Sequence, residues 1–224
     1  ALDLLAQHPA TAHHIAFDGH SLPLLLQDLD ALYRGESLPP PTYTFADVVH
    51  WQQGSDYRRQ SALALAYWAD RLADAPCRTS LSSDEGGGQG AGSLRLPLAA
   101  AALDDVDAFC RAQGSSPFAF WFGVFAVALA VAERQDDLVI ATAAANRSRS
   151  EFDDVIGFLA NTLPLRAQID TTQTFAGFCG GVFAQLGGDL AHQSCALDEL
   201  AAQLGVAPDP QRPPLSEVLF SAGE

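Results

Sequence analysis

Basic residues are scarce in this chain: 12 lysines and arginines stand against 27 aspartates and glutamates, a formal net charge of −15 over 224 residues. That surplus excludes a nucleic-acid backbone or an anionic membrane as the main partner, because both select clustered cations. An acidic protein partner would have to be met through apolar or local basic contacts. Cysteine is also sparse: Cys77, Cys110, Cys179 and Cys195 show no CxxC spacing, so free buried thiols in a reducing compartment are expected. Residues 1–7 lack the basic start of a signal peptide. The most apolar run, 117–132, falls short of the ~20 residues a spanning helix needs. A soluble, cytoplasmic protein follows. Its 48% hydrophobic residues are too many for a disordered chain, and its length suits one large domain or two small ones.

The first stretch with chemical character is His13, His14, Ile15, Ala16, Phe17, Asp18 and Gly19, within a predicted strand at 11–17. Extended backbone sends alternate side chains to opposite faces. His13, Ile15 and Phe17 then share a bulky apolar face, while His14, Ala16 and Asp18 share one where the small alanine leaves space beside an imidazole. His14 looks presented to a cavity and His13 built into packing; two satisfied core histidines are the competing reading. A metal site is disfavoured, since adjacent strand residues point apart and no HExxH or cysteine pair supplies further ligands. Asp18 lies roughly 13 Å along the strand from His14, too far to orient it, and calls for a cation of its own. Gly19 allows a sharp turn.

A helix follows. Ser21 can cap it or line the same cavity, Pro23 suits its first turn, and Gly35 ends it. Leu22, Leu25, Leu26, Leu29 and Leu32 form one stripe, read as core. Pro39–Pro41 make a stiff connector to an aromatic segment at 43–52 and a second helix at 57–72, where Tyr67 and Trp68 serve as packing anchors. At 78–93 the composition collapses to Ser, Asp, Glu and Gly, a flexible linker. Its GxGxxG-like run at 86–91 precedes a strand (93–98) instead of following one, so it is no dinucleotide fingerprint. Two helices, the second buried on all sides, lead to apolar strands at 138–144 and 161–169. A long helix from Phe175 to Leu190, a short one at 196–204 and a last strand at 215–221 follow. Apolar strands among helices predict an α/β sandwich. The expected division is 1–77, 78–93 as linker, and 94–224.

Three stretches together carry a resemblance. They are HHxxxDGxS at 13–21; Asn146-Arg147 with Ile156-Gly157-Phe158-Leu159-Ala160-Asn161-Thr162-Leu163-Pro164-Leu165-Arg166; and Arg212-Pro213-Pro214-Leu215 leading into Val218-Leu219-Phe220. In that order they resemble the condensation domains of nonribosomal peptide synthetases, and the segment at 45–51 ending in Trp51 resembles that family's aromatic-Asp-Trp motif. Leu159-Ala160 stands where Phe-Val is usual, and His192-Gln193-Ser194-Cys195 only weakly follows the family's His-Gln-Asp stretch.

The resemblance implies a chloramphenicol-acetyltransferase-like fold, two α/β lobes around a tunnel. This chain would hold mostly the second lobe plus the HHxxxDG strand of the first, so a piece of a longer domain is expected. It implies amide formation between a donor acyl or peptidyl thioester and an acceptor aminoacyl thioester, for secondary-metabolite and antibiotic biosynthesis. Both substrates would arrive on the 4'-phosphopantetheine of donor and acceptor peptidyl carrier proteins, with an adenylation domain in the same assembly line and no bound cofactor or metal. His14 would serve the attacking amine. His13 and Asp18 would hold the motif's shape with Gly19, Arg147 would be the cation Asp18 needs, and Ser21, Trp51 and Asn161 would line the tunnel. A related epimerase or ester-forming acyltransferase, and an inactive module that recruits carriers or tailoring enzymes, are the alternatives.

Overall fold

The computed structural model of the chain describes residues 13–76, 78–79, 81 and 92–222. Its centre is β2 (Asp137–Ala144), where Leu138, Val139 and Ile140 are all buried in succession. Consecutive residues point to opposite faces, so a run of this kind requires cover on both sides. β3 (Asn161–Gln168) pairs antiparallel with it in continuous register from Asp137 opposite Gln168 to Ala144 opposite Asn161. On the other edge β5 (Leu219–Phe220) runs parallel, giving the order β3-β2-β5. A second, two-residue parallel ladder joins β1 (Arg78–Thr79) to β4 (Leu215–Ser216). It is tied to the main sheet by Val139 N–H donating to Thr79 Oγ1 at 2.8 Å.

Seven helices are described. α1 (Ser21–Tyr33), α2 (Phe45–Gln52) and α3 (Ser55–Arg71) precede the β1 ladder. α4 (Ala100–Gln113) and α5 (Pro117–Glu133) precede β2, and α6 (Phe175–Ala191) and α7 (Leu197–Gln203) follow β3. Their ends follow local chemistry. α4 stops on Gly114 at φ 60°, and α5 starts with Pro117 behind Ser116, whose Oγ accepts the Ala119 N–H. The main core unites Trp68 of α3, Phe122 and Leu129 of α5, Val182 of α6 and Leu200 of α7 with the β2–β3 strands. α3, counted in sequence with residues 1–77, therefore packs into the same core as the strands that follow. A smaller cluster of Val48, Phe152, Val155 and Leu159, with Trp51 against it, lies under the candidate site. Among the described residues no single helix is long and apolar enough to cross a membrane; α4 and α5 meet at 105°.

Several expectations are corrected. Residues 13–17 are not a strand: His14–Ala16 is a 3₁₀ turn, closed by Ala16 N–H on the His13 carbonyl. His13 Nδ1 accepts the Ile15 N–H, a local bond that competes with a ladder, and Ile15 lies 75% exposed. The alternation that put Ile15 in packing thus fails; residues 11–12 lie outside the described residues. The leucine stripe of α1 is not core either. Leu22, Leu29 and Leu32 are exposed, because helical spacing marks a face that gains from cover without supplying the cover. Residues 92–99 form no strand, and Leu94, Leu96 and Leu98 face solvent. The strand expected at 215–221 is split. Leu215 adopts φ 66°, and Ser216 Oγ bonds both the Val218 N–H and its carbonyl, turning the chain between β4 and β5. The glycine-rich part of the 78–93 linker lies outside the described residues, as does Cys77.

Leu138→Ala should lower unfolding free energy by about 2–5 kcal/mol. Leu29→Gln and Leu32→Gln should each stay within about 0.5 kcal/mol. Denaturant titration measures both, and equal losses would return the α1 stripe to the core.

Candidate active site

The site is built on one carboxylate. Asp18 is 1% exposed, and Arg147 reaches it with both terminal nitrogens, Nη1 to Oδ2 at 2.8 Å and Nη2 to Oδ1 at 3.3 Å. The backbone N–H groups of Leu159 and Ala160 both donate to Oδ2 at 3.0 Å, and that of Ser21 donates to Oδ1 at 2.9 Å. Asp18 thereby serves the first turn of α1, a role the sequence assigned to Ser21. Burial alone would raise this carboxyl, but the bonds from Arg147, Ser21 and Leu159 outweigh it and hold it well below the usual carboxylate range. Arg147 is itself buried and also donates to the Val155 and Ala145 carbonyls.

Ser21 is fully buried and knits three elements together. Its Oγ accepts from Gly157 N–H at 3.0 Å and from Arg147 at 3.2 Å, and its one proton serves either Asp18 Oδ1 or the Gly157 carbonyl. Glycine at 157 makes room for the Phe45 ring seated on it, which a β-carbon would force to move. Asp18 N–H reaches the Gly157 carbonyl at 3.3 Å.

The other end of that same peptide unit holds His14. Its Nδ1 lies 2.7 Å from the Phe17 carbonyl. A carbonyl only accepts, which assigns the proton to Nδ1 and leaves the Nε2 lone pair outward. The imidazole is exposed and meets Phe158 edge to face, centroids 5.1 Å apart. His13 is exposed and uses Nδ1 oppositely, as an acceptor for Ile15 N–H.

The remaining residues named from sequence divide. Gly19 has no positive φ, and a β-carbon there would meet nothing within 4 Å, so the turn itself does not require glycine. Trp51 packs on Tyr57 and Phe152 with Arg149 over its ring, a packing position. Asn161 donates to the Gln193 and Cys195 carbonyls at 2.8 and 2.6 Å, clasping β3 to the 192–196 segment. The N–H pair of Leu159 and Ala160, the Phe158 ring and Gln193 were missed. Backbone donors leave no mark in residue identity; the glycine at 157 was the available signal. Cys110, Cys179 and Cys195 are buried and free, and burial pushes the last two thiols up to about 11. Among the described residues no three His, Cys, Asp or Glu side chains converge as metal ligands.

The family model described as Condensation domain matches residues 9–223. The chain belongs to the condensation domain family. It is 31% identical over 225 residues to "Phosphinothricin tripeptide synthetase PhsC" of Streptomyces viridochromogenes, covering 94% of this chain and 20% of that protein. It is 30% identical to "Tyrocidine synthase 3" of Brevibacillus parabrevis, over 93% of this chain and 3% of that one. Among solved structures, the first condensation domain of the calcium-dependent antibiotic synthetase, with a substrate analogue, superposes with a TM-score of 0.68 at 26% identity. That match covers 87% of this chain and 45% of the other. The X-domain from teicoplanin biosynthesis, in complex with OxyB, superposes at 0.79 with 22% identity, over 93% and 49%. The chain thus spans about half the length of the solved domains it matches, and its α/β fold is chloramphenicol-acetyltransferase-like.

Arg147→Ala in this condensation domain should cost about 3–5 kcal/mol, since Asp18 would remain charged and buried; calorimetry checks it. The pH dependence follows from the lowered Asp18 value: its contribution is full above the unfolded pKa and is lost as pH falls toward the folded one. The stability gap between the parent and Asp18→Asn should therefore be constant near neutrality and narrow progressively below about pH 4. A gap independent of pH would mean that Asp18 is not held ionised.

Proposed function

We propose that this condensation domain forms amide bonds between a donor acyl or peptidyl thioester and the amine of an acceptor aminoacyl thioester, both carried on phosphopantetheine arms of carrier domains. The observation that supports it is the His14 geometry: Nδ1 bound to the Phe17 carbonyl on an exposed imidazole, which makes Nε2 the acceptor of the neutral ring. A neutral imidazole of that form can accept a proton at the open side of the loop and nowhere else.

The chemistry needs one such acceptor. An α-amino group has a pKa near 8, so roughly a tenth is already free at pH 7. The amine nitrogen attacks the thioester carbonyl carbon and a tetrahedral adduct forms. His14 Nε2 takes the proton the nitrogen sheds, the carbon–sulfur bond breaks, and the leaving thiolate recovers that proton from the imidazolium. The balance is one amine N–H lost and one thiol S–H gained. Base assistance contributes about 10²–10⁴-fold, and alignment of two tethered reactants can contribute as much or more.

Asp18 is unsuited to proton transfer, being saturated by donors and held ionised; it and Arg147 set the loop's shape. His13 shapes the turn through Ile15. The adenylation domain and both carriers belong to this reading as assembly-line partners, and no cofactor of the domain's own is invoked. The fold is shared with the X-domain, so fold alone carries no choice between catalysis and recruitment.

His14→Ala should slow single-turnover amide formation between two loaded carriers by about 10²–10⁴-fold. The thermal midpoint should be little changed, because the ring is exposed. An unaltered rate would remove His14 from the mechanism. A product carrying an inverted donor centre would favour the epimerase reading, and carrier binding without product the recruitment reading.

A further inference from the structure

The segment from His192 to Cys195, where the sequence departs from the family pattern, is fastened at both ends. On one side the His192 ring stacks on Tyr67, centroids 4.0 Å apart and 5° from parallel, and its carbonyl accepts the Trp68 indole N–H at 2.9 Å. Trp68 is fully buried in the main core, so this end is fixed to α3. On the other side Asn161 Nδ2 donates to the carbonyls of Gln193 and Cys195, and Gln193 Oε1 accepts the N–H of Asn146 at 2.8 Å.

Asn146 is where this fastening meets the site. The β2–β3 ladder ends at Ala144 opposite Asn161, and Asn146 turns the chain out of it at φ 53°. Its N–H has no ladder partner, and the Gln193 oxygen is the partner it has. The next residue is Arg147, the cation of Asp18. Asp18 shares a peptide unit with the Phe17 carbonyl that holds His14 Nδ1. Three side-chain bonds and two covalent steps thus run from Gln193 to the imidazole.

We propose that Gln193 is a positioning residue: its amide oxygen sets the turn at Asn146, and through Arg147 and Asp18 it fixes the ring orientation and tautomer of His14. The activity part of this inference rests on the amide-forming reading above. The Asn146 N–H is half-buried and outside the ladder, so loss of the oxygen frees the 146–147 backbone to shift toward another partner. Displacements of an ångström at a reacting group cost up to about 10²-fold in rate.

The test uses the full chain with Gln193→Met, which keeps length and removes the acceptor, and Gln193→Glu, which restores an acceptor oxygen. At saturating loaded carriers, Gln193→Met should lower single-turnover rate about ten- to hundredfold without changing the carrier concentration at half-saturation. In the chain labelled with ¹⁵N-histidine, the His14 nitrogen signals should move from a protonated Nδ1 and bare Nε2 toward the averaged values of a mobile ring. Gln193→Glu should restore both rate and signals. If Gln193→Met does not fold, Asn161→Asp gives the same signature through a different bond, losing both donors to the segment while keeping its contact with Thr162 N–H. Parent-like rate and nitrogen signals in Gln193→Met, or no recovery in Gln193→Glu, overturn the proposal. If the parent forms no amide, the functional reading fails, and the nitrogen signals alone decide Gln193.

Discussion

The ion pair between Arg147 and Asp18 is the constraint on which the site depends. Two charges this deeply buried gain nothing over a well-packed apolar pair unless every lone pair is met, and one left alone is strongly destabilising. Here the carboxylate is met by a guanidinium, three backbone N–H groups and the reach of a serine hydroxyl. Those donors come from three places in the chain: the start of α1, the turn after β2, and the loop before β3. Satisfying one aspartate therefore fixes the relative position of all three, and the His14 loop is carried along as the residue next to that aspartate.

Which parts of this were legible in the sequence follows from what each part is made of. The main sheet and the helices around it announce themselves through hydrophobic period, because burial acts on side chains and side chains are what a sequence spells out. β2 reads as a continuous apolar run, and α5 as a helix apolar on every side. The His13–Phe17 turn was misread for the complementary reason. Its alternation is real, yet a strand needs a neighbour to bond, whereas His13 supplied its own acceptor to the Ile15 N–H. The α1 leucines show the same limit: spacing defines a face, and only tertiary structure says what lies on it.

At the site the division is sharper. A charged residue inside an apolar motif implies a counter-charge, and the cation named through the family resemblance, Arg147, is the one whose guanidinium lies against Asp18. The bonds that tune Asp18 come largely from backbone N–H groups of Leu159 and Ala160, whose side chains have no part in them. This explains why the Leu159-Ala160 departure from the family's usual pair leaves the donors in place: any non-proline residue offers the same N–H. Gly157 is the residue whose identity does matter locally, because a side chain there would have to displace the Phe45 ring.

The paired histidines make the last point. They are identical in chemistry and adjacent in sequence, both exposed, and sequence separated them only by an assumed strand face and by the family resemblance. The turn separates them by tautomer instead. His13 Nδ1 takes a proton from a backbone donor, so its Nε2 must carry the ring's hydrogen when neutral; His14 Nδ1 gives one to a backbone acceptor, so its Nε2 is bare. One outward nitrogen is a donor and the other an acceptor. The two imidazoles cannot exchange roles without exchanging their backbone partners, and the Phe17 carbonyl is held by the peptide unit it shares with the Asp18 N–H, which itself points at Gly157. The distinction between the two histidines is thus a property of their backbone partners, one of which belongs to the peptide unit that carries the buried Asp18.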